Sequence, residues 1–242
     1  MPSPVTPAED AGRATPVPDF DALTLDVGGV FVVPSHARLV EAFRAAGIEA
    51  DRGRFWDGHY RAMHAVEADQ APAETFGTYV EAFCHHLGLR GDELGSATAA
   101  LDPLFGPSAL WCEPIAGSLD GLRALHHLGI PMAIVSNADG AVDELLTGAG
   151  ICQVGPGPCV PVDAIVDSGA TGVAKPDPQI FRIALDALGT APERTLHVGD
   201  SVHYDVRGAE AAGMPAVHFD PRRLCRTDDH PHITSLRDLL PR

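Results

Sequence analysis

Apolar and polar positions along this chain follow two rhythms. Residues 22–27 form a short apolar run interrupted by Asp26 and followed by Gly28-Gly29, the pattern of a buried strand entering a sharp turn. Between 36 and 105 the period is helical. Patterns over 36–46, 52–66, 74–87 and 92–101 are separated by Gly or Pro, with little strand signal between them. Residues 106–117 are punctuated by Gly and Pro, and a different rhythm follows. Helices predicted over 118–127, 141–147, 178–188 and 206–212 alternate with strands predicted over 131–135, 164–167, 195–198 and 216–219. Such alternation belongs to a parallel sheet flanked by helices. The predicted fold class is therefore α/β: a Rossmann-like, three-layer parallel-sheet core built from 20–34 and 107–242, with an all-helical cap inserted at 35–106. Residues 1–18, rich in Pro, Ala and Gly, are predicted to be a disordered tail. There is no internal repeat at a fixed period, which excludes solenoids and propellers.

Composition narrows the partners. A formal charge of −16 repels a polyphosphate backbone and an anionic membrane surface, so nucleic acid and membrane are not expected as partners. No apolar run approaches the roughly 18 residues that a membrane span needs. The cysteines (84, 112, 152, 159 and 225) are odd in number and contain no C-x-x-C pair, and the N-terminus lacks a signal peptide's basic and apolar regions. Reduced thiols and a cytoplasmic location are the expectation. Sixteen of the seventeen basic residues are Arg, which leaves Lys175 as the only lysine.

Four predicted strand ends or adjoining loops carry polar residues that parallel packing would bring together: Asp26, Ser136-Asn137, Lys175 and Gly199-Asp200-Ser201. One such Asp alone is usually a turn or cap residue; four together point to a site. A carboxylate at a strand end, flanked by glycines that let substrate approach the backbone, can attack phosphorus and form an aspartyl-phosphate, which makes Asp26 the candidate nucleophile. A phosphoryl group needs donors and cations aimed at its oxygens, and Ser136 and Lys175 supply them. Mg2+ prefers oxygen ligands, which the Asp26 carboxylate, the Gly28 carbonyl and Asp200 offer.

The segments Asp26-Val-Gly-Gly-Val, Ser136-Asn-Ala, Lys175-Pro-Asp-Pro and Val198-Gly-Asp-Ser-Val-His-Tyr-Asp-Val-Arg-Gly-Ala resemble the four ordered motifs of the haloacid dehalogenase superfamily. The resemblance covers about residues 20–240, strongly in the body and only by size and position in the cap. It implies hydrolysis of a small phosphorylated metabolite with Mg2+ held by Asp26, Gly28 and Asp200. It implies also that Gly28, Gly29, Asn137 and Ala138 meet the phosphate, and that Ser201 and Asp205 orient the metal ligands and Lys175. A cap that opens on hinges near 33–34 and 106–107 would admit substrate and then exclude water.

One position departs from the pattern. Phosphatases of that family usually carry a second Asp two residues after the nucleophile, and here it is Gly28, so an acid–base contribution of about 10² to 10⁴-fold has no side chain. Three outcomes stay open. The chain is a phosphatase whose proton comes from elsewhere, with His36, His59, His64 and Glu67 available but each reading as a solvated helical residue; it is a 2-haloacid dehalogenase using Asp26 without metal; or it is a catalytically weak binding module. Asp200 favours phosphate. A phosphonate hydrolase is excluded because the cap contains no lysine.

Other features carry less. His85-His86, His126-His127 and Asp228-Asp-His-Pro-His lack zinc spacing and read as solvated surface. Cys152 and Cys159 bracket a loop that could approach the site. Trp56 and Trp111 read as packing residues, and Gly28-Gly29 begins no dinucleotide fingerprint.

Overall fold

The computed structural model describes residues 16–69, 76–105 and 108–241, the side chains of 67–69 and 108 excepted. Most of the expected tail, the side chain of Glu67 and the expected hinge at 106–107 lie outside the described residues. In chain order the elements are β1 (Ala22–Leu25), β2 (Val32–Pro34), α1 (His36–Ala45), α2 (Phe55–Asp69), α3 (Gly77–His86), α4 (Gly91–Leu101), β3 (Trp111–Pro114), α5 (Ser118–His127), β4 (Met132–Ser136), α6 (Val142–Gly148), β5 (Cys152–Val154), β6 (Val160–Val162), β7 (Ala164–Asp167), α7 (Ser168–Thr171), α8 (Pro178–Leu188), β8 (Thr195–Gly199), α9 (Gly208–Ala211), β9 (Ala216–Phe219) and β10 (His232–Ile233).

Six strands form one parallel sheet in the order β10-β9-β8-β1-β4-β7. This is the α/β Rossmann-like core that the alternation predicts. The chain steps outward from β1 to β4 and β7, then returns to the other side of β1 for β8, β9 and β10. Strand order therefore reverses at β1, and ligands of such sheets bind beyond the carboxyl ends of the strands at that point.

Period-two alternation sorts the strand residues between two layers. Leu23 and Leu25, Met132 and Ile134, and Leu196 and Val198 pack with Leu122, Leu125, Leu146 and Leu236 on one face. Ala133, Val135 and Val166 pack with Ile180, Phe181, Ala184 and Val206 on the other. Strands covered on both sides read as nearly continuous apolar runs, which is why these were legible. The interruptions in β1 and β8 are Thr24 and His197, both fully buried and joined Oγ1 to Nδ1 at 2.9 Å. The helices between β2 and β3 have a core of their own, with Leu39, Phe43, Phe55, Phe83 and Leu101 at its centre.

Several short elements differ from the sequence expectation. β2 and β3, where the sequence reading placed no strand, pair antiparallel and connect the helical insert to the sheet. β5 and β6 form a two-stranded parallel ribbon, and β10 adds an edge strand of two residues. Tertiary pairing creates all of these, since runs such as Trp-Cys-Glu-Pro and Cys-Gln-Val have no strand signal of their own. The loop between β5 and β6 is also not near the carboxyl ends: Gly155 and Pro156 border a separate cavity with Pro131 and Asp163, which precede β4 and β7. Residues 202–207 form a π-helical turn ahead of α9, where a regular helix from 206 was expected.

Phe181 is fully buried and meets the His197 ring edge-on, with centroids 4.9 Å apart. Phe181→Ala is expected to cost about 3–5 kcal/mol in chemical denaturation. A loss below about 1 kcal/mol would show that this layer does not support the strand carrying His197.

Candidate active site

Beyond the carboxyl ends of β1, β4 and β8 lies a cavity of about 390 Å³. It brings together Asp26, Gly28, Ser136, Asn137, Ala138, Lys175, Asp200, Ser201 and Asp205. Of the residues expected at the site, only Gly29 stands behind the cavity wall. Asp26, Ser136, Lys175, Asp200, Ser201 and Asp205 are each at most 7% exposed.

Lys175 is the centre of the arrangement. Its Nζ lies 2.6 Å from Asp26 Oδ1 and 2.6 Å from Asp205 Oδ1. Asp205 is fixed in turn by His197 Nε2 at 3.0 Å on Oδ1 and by the Ser201 N–H at 3.0 Å on Oδ2. Thr24 completes this chain through His197 Nδ1. Ser201 Oγ accepts from the Tyr204 N–H, which starts the π-helical turn. Gly199 makes the approach possible, because a Cβ there would lie 2.1 Å from Asp205 Cγ.

Two donors expected to meet phosphate are engaged inside the fold. Asn137 clamps the main chain of Lys175, donating from Nδ2 to its carbonyl at 2.9 Å and accepting its N–H on Oδ1 at 2.7 Å. The Ala138 N–H donates to Ser168 Oγ at 2.9 Å. In this geometry both position the loop after β4 while lining the cavity. Asp167 serves the same loop by accepting from the N–H groups of Gly140 and Val142.

Three buried carboxylates face one ammonium. Burial pushes the Asp26 carboxyl up to about 7, opposed by Lys175 and reinforced by Asp205 and Asp200. Burial, with Asp205 adding, raises Asp200 well above the carboxylate range. For Asp205 the effect of burial is outweighed by Lys175 and His197, which hold it below its ordinary value. Lys175 is raised, because Asp205 and Asp26 outweigh its desolvation. Asp200 Oδ2 is buried with no hydrogen-bond partner, and oxygens of Asp26, Asp200 and Asp205 lie within 4.8 Å of one another. A buried carboxylate oxygen without a hydrogen bond, beside two further carboxylates, is the kind of donor a hard divalent cation prefers.

The helical insert supplies residues that the sequence reading placed in solvent. His59, expected to be solvated, is 1% exposed, with Nδ1 2.8 Å from the Tyr79 hydroxyl and Nε2 3.4 Å from Asp200 Oδ2. Burial pushes its ring down to about 3, so it is neutral at ordinary pH. His36 is also buried, beside Glu113, whereas His64 is exposed as expected. The Tyr60 hydroxyl donates to the Gly29 carbonyl at 2.9 Å and docks α2 on the turn after β1. Trp111 borders the cavity, and its ring would meet a Cβ on Gly28 at 3.6 Å. His59 and Met63 stand four residues apart on one face of α2, a spacing the sequence displays without saying what that face meets.

Comparisons with known proteins agree with this geometry. A family model described as "Hydrolase: haloacid dehalogenase-like hydrolase" matches residues 20–213. Phosphoserine phosphatase of Thermus thermophilus is 41% identical over 112 residues, covering 45% of this chain and 41% of that protein. The chain therefore spans less than half the length of that relative. Phosphoglycolate phosphatase of Rhodospirillum rubrum is 36% identical over 207 residues, covering 81% of this chain and 78% of that protein. The magnesium-bound structure of the HAD-hydrolase YfnB from Bacillus subtilis shares the fold, with a TM-score of 0.61 at 19% identity over 92% of this chain and 97% of that one.

Two predictions follow from this geometry. Asp26 and Asp200 bind protons more tightly folded than unfolded, so their contribution to stability declines as pH rises from roughly 4 to about 7. Asp205 works in the opposite sense, and its contribution is lost only in strong acid. Buried His59 and His218 work against them, binding protons less tightly folded than unfolded, so the test is a difference: in chelator-treated protein the Tm of Asp200→Asn relative to wild type is expected to rise as pH increases above about 4, and a relative fall would contradict the charge balance. Gly29 has φ +65°, and a Cβ there would lie 1.9 Å from Asp200 Oδ2. Gly29→Ala is expected to cost about 1–3 kcal/mol in backbone strain alone, with Gly28→Ala costing far less by the same denaturation assay.

Proposed function

The chain belongs to the haloacid dehalogenase-like hydrolase family, and on that premise we propose that it is a Mg2+-dependent phosphatase acting on a small phosphate monoester through an aspartyl-phosphate at Asp26. The observation that carries this reading is the pairing of Asp26 with Lys175 beside Asp200 Oδ2, a buried carboxylate oxygen without a partner. Asp26, the Gly28 carbonyl and Asp200 would hold the cation. Bound there, Mg2+ supplies positive charge to the phosphoryl oxygens.

The remaining chemistry belongs to the chain. Asp26 attacks phosphorus, the bond to the ester oxygen breaks, and water later cleaves the acyl phosphate. Lys175 holds the Asp26 carboxylate in place and offsets phosphoryl charge, while Asp205 and His197 keep the ammonium aimed. Ser136 donates to a phosphoryl oxygen. The Tyr60 contact and an exposed Asp57–Arg222 ion pair at 2.9 Å bring α2 down as a cap that excludes water.

Two features narrow the substrate. Gly28 offers no acid to the leaving oxygen, so esters whose leaving groups depart without strong protonation should be favoured. The part of the cavity under the insert is apolar, bordered by Met63, Val66, Phe76, Tyr79 and Trp111, with no arginine among the described lining residues. A compact, weakly polar organic group fits that wall better than a carboxylate does.

The first test is phosphate release from a panel of phosphate esters with and without Mg2+, alongside halide release from short 2-haloacids. Metal-dependent phosphate release that chelation abolishes is the expected result, with Asp26→Asn folded but inactive. Halide release without metal would favour the second reading, dehalogenation, to which Gly28 is suited. Within the phosphatase reading, kcat/KM should depend steeply on leaving-group acidity. A Cβ at Gly28 would make ordinary contact with the Trp111 ring, and Gly28→Asp should raise turnover of alkyl esters by about 10²-fold or more while changing aryl esters less. An equal change for both would show that proton transfer does not limit the wild type.

A further inference from the structure

Beneath the Asp200 loop, on the side away from the cavity, four soft and borderline donors converge. His218 on β9, Cys225 on the following loop, and His230 and His232 at β10 each place one ligand atom within 4.8 Å of all the others. His218 and His230 are 5% and 2% exposed, while Cys225 and His232 are half-buried. The expectation that Asp228-Asp-His-Pro-His is solvated surface is corrected here for both histidines. Strand pairing of β10 with β9 sets His232 opposite His218 and folds the segment inward.

The hydrogen bonds around the cluster determine which ring nitrogens carry protons. His218 Nε2 lies 3.0 Å from the Asp200 carbonyl oxygen, which can only accept, so the proton is on Nε2 and Nδ1 presents a lone pair. His230 Nδ1 lies 2.6 Å from Asp229 Oδ1, again an acceptor, so Nε2 presents a lone pair. Those two lone pairs face each other across 3.3 Å. The contact is repulsive unless a proton or a cation lies between them. His232 Nε2 is buried with no partner, and Cys225 Sγ lies 3.7 Å from His230 Nε2.

Two edges of the cluster match one coordination geometry, and the others lie within 4.8 Å. Zn–N of about 2.0–2.1 Å and Zn–S of about 2.3 Å, at tetrahedral angles, give ligand-to-ligand edges of about 3.3 Å for N···N and about 3.6 Å for N···S. The contacts observed are 3.3 Å and 3.7 Å. One cysteine with three imidazoles supplies four sulfur and nitrogen donors, the ligand types and number that tetrahedral Zn2+ takes. The Asp229 carboxylate and the Asp200 carbonyl orient two of the rings from behind, as outer partners of zinc ligands do. Asp220 prearranges the thiol's loop by accepting the Leu224 and Cys225 N–H groups at 3.0 and 2.9 Å.

We propose that His218, Cys225, His230 and His232 form a tetrahedral Zn2+ site that ties the C-terminal strand to the loop carrying Asp200. The site stands apart from Mg2+ chemistry at Asp26 and does not depend on which reaction the cavity performs. Its metal secures β10 against β9 and, through His218, supports the main chain at Asp200.

Metal analysis of the full chain after exposure to Zn2+ and desalting tests the proposal. One equivalent of zinc is expected in the wild type and in Asp26→Asn, and none in Cys225→Ser combined with His230→Gln. Asp229→Asn should retain the site with about 10- to 100-fold weaker affinity. Loading the wild type with Co2+ should give tetrahedral visible bands and a thiolate-to-cobalt charge-transfer band, a readout that stands even if the cluster variants fail to fold. Wild-type protein that retains no zinc and shows no thiolate–cobalt band would overturn the proposal, as would zinc that is lost in Asp26→Asn but kept in Cys225→Ser.

Discussion

One ammonium group between two carboxylates organises this molecule. Lys175 Nζ, 2.6 Å from both Asp26 and Asp205, is buried where an unpaired charge would be prohibitive. The cost of bringing it there is offset only because β1 delivers Asp26, the π-helical turn after β8 delivers Asp205, and Asn137 holds the Lys175 main chain from β4. The pairing thus links three strands of the sheet at the point where their order reverses. It leaves Asp200 outside the arrangement, its carboxyl raised by burial and its Oδ2 without a hydrogen bond, which is where the proposed Mg2+ would find a ligand.

Much of this was legible in the chain. Asp26, Ser136, Lys175, Asp200 and Asp205 follow short apolar runs or turns, and in a parallel sheet strand ends of like direction must cluster. The double-sided burial that makes β1, β4 and β8 apolar throughout also makes their polar endings conspicuous. Lys175 was visible by contrast, as the one lysine in a chain that otherwise uses arginine.

What escaped the sequence was set by tertiary contact. Helical periodicity shows that α2 has an apolar face but not that His59 on it lies 3.4 Å from Asp200, or that the Tyr60 hydroxyl reaches Gly29. Nor does the chain show that Asn137 clamps the Lys175 main chain or that the Ala138 N–H meets Ser168, contacts made because a loop held this tightly needs its polar groups satisfied locally. β2, β3, β5 and β10 are too short to announce themselves. The histidine and cysteine cluster escaped for the same reason: its donors are at 218, 225, 230 and 232, and the β9–β10 pairing is what brings that irregular spacing together.

The central claim is that Asp26 becomes covalently phosphorylated. Acid-quenching the enzyme during turnover of a phosphate ester with Mg2+, then sequencing its peptides by mass spectrometry, tests it most directly. The account predicts one added phosphoryl group on Asp26 in the wild type and none anywhere in Asp26→Asn. Sustained phosphate release from Asp26→Asn, or a phosphoryl group found on another residue of the wild type, would contradict it.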